Sequence, residues 1–143
     1  MNPIMQLDIP ALVSEMAPDA IEQILELAAN EEIEIVRTPR SGLVMMTCRD
    51  DFDCEFHLGE VLVTDAEVAC RGIRGYGMVP GDDPRRALAR AAAEVICQGD
   101  NQLLMERLQR LALSEQEQRL ARRTTQDQLI ARSRVQFDLM SGS

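Results

Sequence analysis

The sequence predicts an α+β domain: an antiparallel sheet of about four strands with N-terminal and C-terminal helices packed on one face. Three observations predict it. Apolar residues recur at helical spacing before residue 33 and after residue 82. Between them, residues 33–81 form short apolar or alternating segments separated by Gly, Pro and Asp. These segments are joined by short links, and strands so connected pair antiparallel. The 143 residues therefore divide into a helical part (1–32), strands (33–81) and C-terminal helices (82–143) of a single domain.

Each element has a local cause. Asp8-Ile9-Pro10 starts a short helix to Met16, with Asp8 or Ile9 at the cap and Pro10 in the first turn. Pro18 starts a second helix, in which Ile21, Ile24, Leu25 and Ala28 fall on one face. Asn30 and Glu31-Glu32 end it. Ile33 to Thr38 is β-like, and Pro39 is expected to stop that strand because it removes a ladder donor. Arg40-Ser41-Gly42 reads as a turn. Leu43 to Cys48 is the next strand and Arg49 to Asp53 a charged loop.

Cys54 to Thr64 follows as a strand. Cys54, Phe56 and Leu58 share one phase and Val61 and Val63 the other, so the phase slips at Gly59-Glu60, as in a β-bulge. Ala66 to Cys70 continues this ribbon. A short strand around Tyr76 to Val79 ends in a turn at Pro80-Gly81. Asp82 or Asp83 caps the next helix, with Pro84 in its first turn. Leu88, Ala91, Ala92, Val95 and Ile96 form its apolar face, and the alanines let it lie close to a sheet. Arg86, Arg90 and Glu94 occupy the other side.

Gly99-Asp100-Asn101 breaks the chain before a helix marked by Leu103, Leu104, Leu108 and Leu111. Ser114-x-x-Glu117 has the spacing of a capping box and predicts a restart. From Arg119 to Arg134 the apolar pattern is poor. Such a segment is either a disordered tail or one that orders on a partner.

Composition narrows the function. The net charge of −9 argues against nucleic-acid binding, since an acidic surface repels phosphate backbones. All fifteen basic residues are Arg, which excludes a Schiff-base or P-loop lysine. No stretch is apolar enough to span a bilayer, and no basic n-region precedes an apolar core, so a cytoplasmic protein without membrane contact is expected. Cys48, Cys54, Cys70 and Cys97 fit no zinc or cluster spacing, and reduced, inert thiols are expected. Cys48 and Cys54, facing across a hairpin, leave a metal or redox role open.

Three features carry possible chemistry. His57, the only histidine, has no Ser or Cys partner at motif spacing and lies mid-strand. Gly72, Gly75, Gly77 and Gly81 run into a helix start, as an anion cradle would. Asp82 and Asp83, however, occupy that start and repel anions. Arg37, Arg40, Arg49, Arg71 and Arg74 could converge on a phosphate, or pair with Asp50, Asp51, Asp53, Asp65 and Glu67.

The glycine-punctuated block carries a resemblance. Arg37-x-Pro39-x-x-Gly42-Leu43, then Leu58-Gly59-Glu60-x-Leu62-Val63-Thr64, then Gly75-Tyr76 before Gly81-x-Asp83, resembles the PhnG family, the G subunit of the bacterial carbon–phosphorus lyase core complex. The resemblance is best from Ile33 to Val95 and again from Arg134 to Met140. It implies an accessory subunit acting with H, I and J partners, chiefly the I subunit. The assembly displaces adenine from ATP with an alkylphosphonate, giving ribose 1-methylphosphonate 5-triphosphate. No cofactor is expected on this chain, because the iron–sulfur cluster belongs to a partner. Structural roles fall to Pro39, Gly42, Leu43, Leu58, Gly59, Glu60, Gly75, Gly77 and Gly81. Arg37, Tyr76, Arg134 and Phe137 are the expected partner contacts, as Arg and aromatic anchors usually are. The chain departs from the pattern at Arg40, where an acid is common, and at Asp65 and Asp82, where Arg is common. Two alternatives stand beside this reading: a stand-alone phosphate- or nucleotide-binding protein, and a homodimeric adaptor that buries its C-terminal helix against its own copy.

Overall fold

The computed structural model describes residues 7–141, with side chains through Arg134. In order come α1 (Ile9–Val13), α2 (Pro18–Ala29), β1 (Glu34–Arg49), β2 (Glu55–Cys70), β3 (Ile73–Pro80), α3 (Pro84–Gln98) and α4 (Gln102–Ser141). The strands form one antiparallel sheet of order β1-β2-β3, with α3 laid against it. The expected α+β class is observed. Among the described residues no helix is long and apolar enough to cross a membrane.

The expected strands before and after Pro39 are one strand. β1 passes through Pro39 and through Arg40-Ser41-Gly42, which is strand and not turn. β1 lies at the sheet edge, where a missing proline N–H costs no ladder bond on the open side. The irregularity is absorbed by register shifts between Ile35 and Arg37 and between Arg37 and Arg40. The anticipated bulge is present: Met46 pairs with Gly59 and Thr47 with His57, leaving Leu58 as the extra residue. Gly59 adopts φ 135°, which a side chain would strain.

α3 is the centre of the core. Ala87, Ala91 and Val95 pack on Ala66, Val68 and Val79 of the sheet. Ala89, Ala93 and Ile96 pack the other way, on Ile9, Val13, Ile21 and Ile24, with Leu104 and Leu108 of α4. Fully buried side chains such as Ile24 and Leu108 each contribute about 2 kcal/mol of transfer free energy. The sheet approaches α3 closely because β3 offers glycine there. A Cβ at Gly75 would lie 2.3 Å from the Ala91 carbonyl oxygen, and one at Gly77 2.3 Å from that of Ala87.

Capping follows the sequence in part. The Asp8 carboxylate accepts from the Ala11 N–H at 3.2 Å, and Asp83 accepts from the Arg86 N–H at 3.1 Å. Arg86 and Arg90 do not simply face solvent. Arg86 Nη1 donates to the Val13 and Met16 carbonyls at 2.9 and 2.7 Å, and Arg90 Nη1 donates to Ser14 Oγ at 2.6 Å. Arg86 thus holds carbonyls of the turn that ends α1, and Arg90 holds the Ser14 hydroxyl in that turn. The restart expected at Ser114 does not occur, because α4 is continuous. Glu115 is the residue that matters there. It is buried, and its Oε2 accepts from the Ala17 N–H at 2.9 Å, tying α4 to the uncapped start of α2.

Candidate functional site

Two elements project from this core. The first is a β-arm. β3 ends with Pro80 opposite Val63, so Leu43–Arg49 and Glu55–Leu62 pair with each other and with no third strand. The second is the distal part of α4, in which every residue from Glu117 to Arg134 is exposed.

The register sorts the arm into two faces, because directly opposed residues in an antiparallel pair point the same way. The inner face continues the side of the sheet that carries α3, where Thr64, Ala66 and Val68 are buried. It bears the pairs Leu43/Leu62, Met45/Glu60, Thr47/His57 and Arg49/Glu55. The outer face bears Val44/Val61 and Cys48/Phe56, with Met46 and Leu58 between them. The bulge produces this grouping. Without the extra residue, Phe56 and Leu58 would face away from Val61. The outer face carries no charge along the arm, and Phe56 and Leu58 are 45% and 56% exposed. At the tip, Asp50 Oδ1 accepts from the Phe52 and Cys54 N–H groups at 2.9 Å each.

Where the outer face reaches the core it becomes polar. Asp65 accepts from Arg37 Nη2 at 3.1 Å, from Arg40 Nε at 3.3 Å and from the Tyr76 hydroxyl at 3.0 Å. The Arg37 guanidinium also stands 5.7 Å from the Tyr76 ring centroid, a cation–π distance. Burial, and then the hydrogen bond and charge of Asp65, push the Tyr76 phenol above its ordinary pKa. Arg37 Nε is buried and has no partner among the described residues.

The expected partner contacts thus divide. Arg37 and Tyr76 meet on the outer face. Arg134 lies on the exposed part of α4. Phe137 falls in the α4 backbone, but its side chain is outside the described residues, as are those of the rest of the motif up to Met140. Leu43, Leu58, Gly59 and Glu60 all belong to the arm, and Gly42 lies at its base. Pro39 is half-buried in β1, and Gly81 turns the chain at φ 81°.

The arginines do not converge as a clamp. Arg49 pairs with Asp53 at 3.2 Å and Arg74 with Glu67 at 3.3 Å, while Arg37 and Arg40 share Asp65. The glycine run makes no open cradle either. Asp83 fills the start of α3, and Asp82 accepts from Ser41 Oγ at 2.7 Å. Thr64, which the sequence reading passed over, organises this turn. Its hydroxyl donates to the Gly81 carbonyl at 2.6 Å and accepts from the Asp83 N–H at 3.0 Å. A short polar residue in an apolar strand phase, opposite a turn, was the available signal. His57 is an exposed arm residue facing Thr47. The four cysteines are free thiols, and burial, helped by Asp8 and Glu94, raises the pKa of Cys97. Among the described residues no three His, Cys, Asp or Glu side chains gather as metal ligands.

What the β-arm and the distal α4 offer among the described residues is exposed contact area. Among family models, the one described as phosphonate metabolism protein PhnG matches residues 8–142. No curated protein matches the chain. Since the family match covers nearly all of the 143 residues, the chain belongs to the PhnG family and has a role in phosphonate metabolism.

Proposed function

We propose that the chain is a non-catalytic accessory subunit of the carbon–phosphorus lyase core complex. In that role it supports displacement of adenine from ATP by an alkylphosphonate, giving ribose 1-methylphosphonate 5-triphosphate. Its partners are the H, I and J subunits, chiefly I, and the iron–sulfur cluster of the pathway sits on another subunit.

The observation that carries this reading is the outer face of the β-arm. Val44, Met46, Phe56, Leu58 and Val61 form an uncharged strip on a two-stranded ribbon that packs on no third element among the described residues. Contiguous apolar surface of this kind marks a protein interface. It runs into Arg37 and Tyr76, the residue types that most often anchor one. The pairing of Arg37, Arg40, Arg49 and Arg74 with carboxylates weighs against the stand-alone phosphate-binding alternative.

The test is co-purification of Phe56→Asp and Leu58→Asp variants with co-expressed I subunit. Both sites are exposed, so the variant domain is expected to keep its fold, which far-UV circular dichroism checks. Loss of I-subunit recovery is expected, whereas undiminished recovery would remove the arm from the interface.

A further inference from the structure

Among the described residues the inner face of the arm and the part of α4 beyond Arg119 have no partner, and they complement each other. Residues 120–134 hold four arginines against Asp127. Residues 43–62 hold Asp50, Asp51, Asp53, Glu55 and Glu60 against Arg49. The chain as a whole is acidic, so the basic stretch stands apart. We infer that two copies of the chain pair reciprocally, the distal α4 of each lying along the inner face of the other's β-arm.

Length agrees with charge. The exposed stretch of helix spans about 27 Å at 1.5 Å per residue. The paired part of the arm, seven residues on β1, spans about 23 Å at 3.3 Å per residue. Arg123, Ile130 and Arg134 recur at i, i+7 and i+11 and so share one helix face. Arg123 and Arg134 are about 16 Å apart along the helix. On the arm, Glu60 and Glu55 stand opposite Met45 and Arg49, about 13 Å apart along the strand. Placing Arg134 at Glu60 and Arg123 at Glu55 sets Ile130, about 6 Å along the helix from Arg134, over the exposed Thr47/His57 pair, one step along the face from Met45.

The ionic groups are available for this. Among the described residues neither Glu55 nor Glu60 forms an ion pair, and neither do Arg123 and Arg134. Arg119 is different. It pairs with Glu15 on the chain's own core and fixes where the free part of the helix begins. A mostly polar helix of this length has little reason to persist in water without a surface to lie on. When each of two copies uses both halves of the contact on the other, the pair is self-complementary and closes with two-fold symmetry. The outer face of each arm stays open in such a pair, so the inference does not depend on the proposed function.

The test is sedimentation equilibrium of the full-length chain alone, at low and high salt. A dimer that weakens with salt is expected, since exposed ion pairs are screened. Glu55→Arg with Glu60→Arg, and separately Arg123→Glu with Arg134→Glu, place like charges in the contact. Each double variant is expected to weaken dimerisation at least tenfold. An equimolar mixture of the two double variants restores opposite charges at both contacts and is expected to recover the dimer. A misfolded variant would not be rescued in that way. A monomeric wild-type chain would overturn the inference. So would a dimer indifferent to either double variant, or a mixture that fails to recover.

Discussion

Arg40 and Asp65 stand opposite each other across β1 and β2, with Arg40 Nε 3.3 Å from Asp65 Oδ1. The resemblance sets an acid as the expected residue at the first position and Arg at the second. In this chain the two residues form a cross-strand ion pair with the base on β1 and the acid on β2. Asp82, the third departure, has its own bond to Ser41.

Asp65 carries more than this pair, because Arg37 and Tyr76 also donate to it. Its side chain is 16% exposed, against 65% for Arg40. Asp65→Asn is therefore expected to cost about 1–2 kcal/mol, and Arg40→Ala under about 1 kcal/mol. Urea unfolding of both variants checks the ranking, and equal losses would contradict the role given to Asp65.

Gly75 and Gly77 are where the sheet touches α3. Alanine at either position meets a backbone carbonyl of α3 and is expected to cost about 2–3 kcal/mol, lowering Tm by roughly 10 °C. Gly42 has nothing within 4 Å of an added Cβ, and Gly42→Ala should leave Tm nearly unchanged. Thermal unfolding of the three variants makes the comparison.

Tyr76 gives a pH signature. Its phenol has a raised pKa in the folded chain, chiefly from burial and then from Asp65. Between the unfolded and the folded pKa, the folded state holds the proton that the unfolded state has released. The stabilisation is thus complete below the unfolded value near 10 and is lost as pH climbs through the folded one. Tyr76→Phe should flatten that alkaline fall in stability, as followed by urea midpoints from neutral pH upward. An unchanged alkaline limb would assign the loss to other groups.

Glu115 and Glu117 separate two readings of the same stretch. Glu115→Ala leaves the Ala17 N–H without its acceptor and is expected to cost about 1–2 kcal/mol. Glu117→Ala, at an exposed position inside a continuous helix, should fall within about 0.5 kcal/mol of wild type. The reverse order in denaturant unfolding would restore the capping box.

The helices and their starts were legible in the sequence because caps and prolines act locally, as Asp8, Pro18, Asp83 and Pro84 show. The bulge at Gly59 was legible as a slip in side-chain phase. The continuity of β1 through Pro39 was not. Whether proline ends a strand depends on whether its open side faces a neighbour, and sheet order is a tertiary property. Glu115 was missed for the same reason, since its partner lies in another helix. The projection of the arm was hidden too. An apolar run such as Leu43 to Met46 reads alike whether it enters a core or awaits a partner. Arg37 and Tyr76 were named from the resemblance, and only the register explains why they meet.

The most direct measurement of the accessory role is co-purification of the tagged chain with co-expressed H, I and J subunits from its own source. Adenine release from ATP in the presence of methylphosphonate is then assayed with and without the chain. The expected result is a stable complex whose exchange activity requires this chain. A chain that purifies alone, beside H, I and J subunits that catalyse the exchange without it, would contradict the accessory role.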